Sequence, residues 1–251
     1  MKKRRTHGMI GEYNQMRRNS SWRRGFSLIE LLMVIVIISI LASLLFPTLR
    51  RARMISLSAS CMNNIKQDLL ATYSYGGDFN DIILTRTNNA SGYGYKTWLQ
   101  LLDLGGYVND YTVTLCPSAA PNVWNPNDGE RVNKIYASRR TISFSASYDP
   151  GKALVEASDS AGNVGAFDVL ILHKVQNASE FAYFMDSWNA TRKIQFFTIT
   201  AAASDNTGVG MHHINTANIG FMDGHVEGVS RERMMFYGIF SYFLYGNEVA
   251  F

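Results

Sequence analysis

The sequence predicts an α+β fold, with a long N-terminal α-helix, membrane-spanning in its first half, packed on a small C-terminal antiparallel β-sheet domain. Three observations carry this. The stretch from Leu31 to Phe46 is apolar on every side and broken only by Ser39 and Ser43, which leaves no face for water and marks a membrane helix. Beyond it Ile55, Met62, Ile65, Leu69 and Tyr73 recur at helical spacing among polar residues, the pattern of a helix with one buried stripe. Near the C-terminus, Asp223-Gly224 lies between two runs of alternating polarity, a strong hairpin signal.

Residues 1–25 read as a basic leader. They carry Lys2, Lys3, Arg4, Arg5, Arg17, Arg18, Arg23 and Arg24 against the single acid Glu12. Just after the span stand three, Arg50, Arg51 and Arg53, so the positive-inside bias is expected to keep the N-terminus cytoplasmic and to send the rest across a bacterial inner membrane in a single pass. The formal net charge of +4 belongs to this leader, and the remainder of the chain is net acidic. The charge is therefore an orientation signal, and no nucleic-acid partner is expected. Phe26 to Phe46 would rise roughly 30 Å at about 1.5 Å per residue, one hydrocarbon core. Ser39 and Ser43 can bond back to their own helix. Pro47 follows at once and is expected to bend the helix rather than end it.

The junction itself is Arg23-Arg24-Gly25-Phe26-Ser27-Leu28-Ile29-Glu30. An acid at the centre of a membrane helix costs roughly 2.5–3.5 kcal/mol, less near an end, so Glu30 needs a use. A carboxylate resting at headgroup level would explain the acid but not the Gly-Phe step beside it. These residues resemble a type IV prepilin or type II secretion pseudopilin N-terminus: a basic leader ending in Gly25, then Phe26, with Glu30 five residues into the mature chain. The resemblance implies a pilin-like fold and a prepilin peptidase that cuts between Gly25 and Phe26 and methylates the new amine. It also implies partners in inner membrane lipid and in other pilin-like subunits. Glu30 would then act in assembly, pairing with its own or a neighbour's terminal amine, since ion pairs strengthen in low dielectric. Arg23-Arg24-Gly25-Phe26 also resembles a twin-arginine export signal, which would give an exported, membrane-anchored binding or enzymatic domain with no filament role. That signal wants a shorter apolar region and a small-residue cleavage site. Here the apolar run is full length, holds Glu30 and ends in Pro47, and Ser58-Ala59-Ser60 is poorly placed for a cut.

The long helix is expected over 26–75, with 26–46 in the membrane and Gly76-Gly77-Asp78 as its stop. Residues 76–251 then form one extracytoplasmic domain of ordinary size. Within it, Trp98 to Leu104 reads as a short helix, and Tyr111 to Leu115, Ala166 to His173 and Ala182 to Met185 as strands. Lys193 to Ala201 alternates and favours β. Cys61 and Cys116 both fall outside the membrane on this topology, where an oxidising compartment permits a disulfide between them; two buried thiols are the other reading.

A hairpin is expected over 217–229. Taking Asp223-Gly224 as a two-residue loop pairs Met222 with His225 and Phe221 with Val226. Phe221, Ile219 and Val226 then share one face, and Glu227 and His225 the other. His213 precedes Asp223-Gly224 by nine intervening residues. Together with the N-terminus, Cys61-Met62-Asn63-Asn64-Ile65-Lys66-Gln67 and Cys116-Pro117-Ser118, this resembles the H-X9-DG group of pilin-like proteins. Met211 and His212 stand where that group usually carries a basic residue. His212, His213, Asp223 and His225 are of types that suit zinc, but their spacing matches no standard motif. Asp223 is explained by the turn and His213 by a hydrogen bond anchoring the hairpin, to a partner such as Asp223. Asp78, Asn80 and Asp81 are oxygen donors in a glycine-rich turn, fewer than the six to eight that calcium takes. No metal and no cofactor are expected.

No nucleophile elbow, paired-acid signature or phosphate-cradling glycine loop is present, so a non-enzymatic subunit is expected. The aromatic tail from Met234 to Tyr245 is too short to span a bilayer; it is read as core, or as a contact between subunits.

Overall fold

The computed structural model describes residues 26–87, 95–119, 134–139, 149–158, 167–199, 207–239 and the backbone of 242–244. The chain divides into two units, Met1–Pro47 and Thr48–Phe251. Helix α1, Leu28–Asp78, contributes to both and contains Pro47. In the first unit, every large apolar side chain from Phe26 to Phe46 is 45% to 88% exposed. Ser39 donates to the carbonyl of Ile35 and Ser43 to that of Ile40, each at 2.7 Å, so the serines place no unsatisfied hydroxyl on that apolar surface. This is the one helix among the described residues long and apolar enough to cross a membrane.

The second unit is rich in antiparallel sheet. Strands β1 (Ile82–Thr87), β2 (Lys96–Thr97), β4 (Leu154–Ala157) and β5 (Phe167–Ile171) form one sheet in the order β2-β1-β5-β4. A second sheet takes β3 (Ala137–Arg139), β6 (Ala182–Met185), β8 (Thr198–Ile199), β10 (Thr216–Phe221) and β11 (Val226–Ser230) in the order β11-β10-β6-β3-β8. A third runs β12-β9-β7, from β7 (Ser187–Asn189), β9 (Thr207–Met211) and β12 (Tyr242–Leu244). Among the described residues, only β3–β8 and β9–β12 pair in parallel. Short helices α2 (Trp98–Leu104) and α3 (Arg231–Met234) complete the unit.

The apolar stripe of α1 does what its spacing predicts. Cys61, Ile65, Leu69 and Tyr75 are buried with Trp98, Leu102, Tyr136, Tyr183 and Phe184 in one core cluster. A second cluster holds Met185, Val209, Ile219, Phe221, Val229, Met234 and Ile239. Strand β10 separates them and is buried over most of its length. Close approach of α1 requires Gly220, where a Cβ would lie 2.5 Å from Ile65 Cγ2 and 2.9 Å from Leu69 Cδ1. Of the described part of the tail, Met234 and Ile239 are core while Phe236 is 78% exposed.

Three elements differ from expectation. Tyr111 to Leu115 is not a strand but a 3-10 turn over Tyr111–Thr114. Asp110 accepts from the Thr112 N–H at 2.9 Å and from its hydroxyl at 2.7 Å, which folds the chain at that point. Of Lys193 to Ala201, residues 200 and 201 lie outside the described residues, and among the rest only Thr198–Ile199 is strand, because Asn189 accepts from the Arg192 N–H at 2.7 Å and closes a turn upstream. The C-terminal hairpin is offset by one residue from the expected register. Gly220 pairs with Val226 and Ile219 with Glu227, around a three-residue loop in which the Phe221 N–H donates to His225 at 3.0 Å. Gly224 at φ +90° supplies the left-handed residue that this longer loop needs. Val226 therefore packs with the α1 cluster while Phe221 packs with the other.

Asp68, on the buried stripe of α1, has neither carboxylate oxygen hydrogen-bonded among the described residues. Burial pushes its carboxyl well above the usual range. The folded state thus holds this proton more tightly than the unfolded chain, so stability falls as pH rises beyond the ordinary aspartate range. Asp68→Asn should melt higher than the parent at neutral pH, with the gap closing toward about pH 4. Melts of both at the two pH values check this; a gap independent of pH would mean that Asp68 is not the titrating group.

Candidate functional sites

Four buried side chains converge in the second unit. Cys61 lies on α1, Cys116 in the turn after Tyr111–Thr114, Asp186 between β6 and β7, and His213 in the turn joining β9 to β10. Their sulfur, oxygen and nitrogen atoms all lie within 4.8 Å of one another. Cys61 Sγ is 3.2 Å from Asp186 Oδ1. His213 Nε2 is 3.3 Å from Asp186 Oδ2 and 3.4 Å from Cys116 Sγ. The His213 turn is a two-residue hairpin loop with Ile214 and Asn215 both at positive φ, 42° and 63°, which aims the imidazole inward from the strand end.

The surroundings of the four are polar and specific. The Asn218 N–H donates to Asp186 Oδ2 at 2.8 Å. Ser118 Oγ lies 3.3 Å from His213 Nδ1. The Tyr136 hydroxyl is 3.1 Å from Cys61 Sγ, and the Cys116 N–H donates to Gln195 at 3.0 Å. Burial pushes both thiols up. Burial alone would lower His213, but Asp186 beside it overrides this and raises it to about 10. Burial likewise opposes the Asp186 carboxylate, and His213 holds its pKa below the usual value. Without any bound ion the site is thus an imidazolium–carboxylate pair between two neutral thiols.

At the other end of the chain, Ser27 and Glu30 form a reciprocal pair at the start of α1. The Ser27 N–H donates to Glu30 Oε2 at 2.9 Å, and the Glu30 N–H donates to Ser27 Oγ at 3.2 Å. This is a capping box, Ser-x-x-Glu, satisfying two of the N–H groups that a helix start leaves open. Phe26 just before it is 74% exposed. Gly25 lies outside the described residues. Residues 23–46 match the family model of the prokaryotic N-terminal methylation motif. The chain carries a type IV prepilin-like signal. The motif supports a pilin-like substrate of prepilin peptidase, anchored at the inner membrane by the apolar helix that follows. No curated protein and no solved structure matches the chain.

The other expected site residues are placed as follows. Cys61 and Cys116 are two buried free thiols in this structure, one of the two readings the sequence left open, with Cys61 Sγ turned to Asp186 and Cys116 Sγ to His213. His213 is paired with Asp186 and not with Asp223, which instead accepts from the His225 N–H at 3.0 Å. His225 stacks on Phe221 with ring centroids 4.4 Å apart, and His212 Nε2 lies 3.0 Å from the Ser187 carbonyl. Among the described residues, His212, Asp223 and His225 therefore do not join His213 in a shared site. Asp78 accepts from the Tyr107 hydroxyl at 2.7 Å, while Asn80 and Asp81 sit at positive φ, where such residues serve turns.

Two features of these candidate sites went unread in the sequence. Ser27 and Glu30 spell a capping box in plain sight. Asp186 closes the run Phe181 to Met185, a lone acid after five buried apolar residues, and that contrast was the available signal.

Proposed function

We propose that this protein is a pilin-like subunit of a type IV pilus-like or type II secretion pseudopilus filament. The leader is removed between Gly25 and Phe26, the new amine is methylated, and the helix from Phe26 to Phe46 anchors the subunit by a single pass with the leader side cytoplasmic. The single observation that carries this reading is the methylation-motif match over residues 23–46, which coincides with a segment whose large apolar residues are all exposed. Such a surface needs lipid before assembly and neighbouring helices after it. Thr48–Phe251 is then the displayed unit. Its work is structural, and no step of it requires catalysis.

Mass spectrometry of chain purified from native membranes tests this. The expected N-terminus is N-methylated Phe26. An intact arginine-rich leader, or a start near Cys61, would overturn the reading in favour of an exported, anchored domain.

A further inference from the structure

We propose that Cys61, Cys116, Asp186 and His213 together bind one structural zinc ion. Zinc bound tetrahedrally takes sulfur at about 2.3 Å and nitrogen or oxygen at about 2.0–2.2 Å, which sets ligand-to-ligand edges of roughly 3.3–3.8 Å. Cys61 Sγ is 3.2 Å from Asp186 Oδ1, while His213 Nε2 is 3.3 Å from Asp186 Oδ2 and 3.4 Å from Cys116 Sγ. One ligand atom from each residue lies within 4.8 Å of the other three, so a small inward adjustment brings the four onto one ion.

Proton counting points the same way. His213 Nε2 faces both Asp186 Oδ2 and Cys116 Sγ, yet a ring nitrogen carries at most one hydrogen. A divalent cation at the centre satisfies every inward-facing lone pair at once. On binding, any proton on the two sulfurs or on His213 Nε2 leaves to solvent, and metal–ligand bonds replace the S–H and N–H bonds. Two thiolates and a carboxylate around the ion leave one net negative charge. The Asn218 N–H and the Tyr136 hydroxyl are placed to offset it. Ser118 Oγ beside Nδ1 fixes the ring with Nε2 inward, as partners of metal-bound histidines commonly do.

The ligand set selects among metals. Two sulfurs exclude calcium and magnesium, which take oxygen, and a closed tetrahedral S2NO set suits zinc. All four side chains are at most 2% exposed, so no open position faces solvent, which makes the site structural rather than catalytic. The ligands come from four separate segments, so the ion would tie the buried half of α1 to the 116 turn, the β6–β7 junction and the β9–β10 turn. None of this depends on the filament reading, since all four residues belong to Thr48–Phe251.

The test uses the full chain, purified in detergent with reductant. Elemental analysis should find about one zinc per chain. Stripped protein given cobalt(II) should show thiolate-to-cobalt charge transfer and the intense visible bands of a tetrahedral site. Cys116→Ser and Asp186→Asn should each bind zinc at least about tenfold more weakly against a chromophoric chelator, while His225→Ala, outside the cluster, should bind as the parent does. If the cluster variants do not fold, the cobalt spectrum of the parent decides alone. A chain that takes up neither metal overturns the proposal, whether its thiols are free or joined in a disulfide that lowers the mass by two hydrogens. Zinc retained unchanged in Cys116→Ser overturns the ligand assignment.

Discussion

His213→Ala should lower the stability of this protein by about 3–5 kcal/mol, the usual cost of removing one partner from a buried ion pair. The reason is what stays behind. Asp186 is fully buried and its Oδ2 is shared between His213 and the Asn218 N–H. Deleting the imidazole leaves a carboxylate that water cannot reach, facing two sulfurs that cannot neutralise it. For a chain of this size, each 1 kcal/mol moves the melting temperature by roughly 2–4 °C, so the expected drop is roughly 6–20 °C. His225→Ala removes an exposed-edge histidine paired with a half-exposed Asp223, and such changes stay within about 0.5 kcal/mol. The comparison therefore holds residue type and an aspartate partner constant while the pair goes from half-exposed to buried. A His213→Ala cost below about 1 kcal/mol would mean that the pair does not exist in solution. Melts repeated with and without chelator separate its two sources: the ion pair acts in both, whereas bound zinc adds a stabilisation that rises with free zinc concentration.

The contrast between what could and could not be read beforehand follows from how far each signal reaches along the chain. Local patterns were legible. The apolar run, the stripe on α1 and the helix at Trp98 each depend on residues within one or two turns, and the structure has all three. Cys61, Cys116 and His213 were singled out too, but as a possible bridge and a hairpin anchor, not as one cluster. What failed involved competition between local options or contact across long separations. At Tyr111 the β-prone composition lost to one aspartate bonding the backbone two residues on. At Asp223-Gly224 the expected two-residue loop needs positive φ at both positions, and it lost to a three-residue loop in which, of the pair, only Gly224 takes one, at +90°. Asp186 escaped notice because its partners stand 125 and 27 positions away, at Cys61 and His213. No spacing rule reaches that far. The cluster becomes visible only when α1 is laid on β10 with Gly220 as the gap that admits it.

Glu30→Ala and Glu30→Gln should both insert in the membrane and be cleaved, and both should fail to enter a filament. Two roles compete for this carboxylate. One is the capping box seen in the structure, where Glu30 accepts from the Ser27 N–H. The other is the proposed pairing with a methylated Phe26 amine after cleavage. Magnitude favours the second as the reason an acid is kept in lipid. Losing a cap costs about 0.5–2 kcal/mol, which a helix running from Leu28 to Asp78 can absorb. An unpaired cationic amine and an unpaired carboxylate in low dielectric cost several kcal/mol each, enough to decide whether subunits pack side by side. The two variants separate these roles, because glutamine serves in a capping box as glutamate does but carries no charge. Alanine removes both functions. If Glu30→Gln assembles like the parent and Glu30→Ala does not, the side chain works by capping and the charge pairing is wrong. If both assemble, neither role governs polymerisation. Failure of both, with leader removal intact, is the outcome expected of a subunit whose axial position is set by one buried charge meeting another.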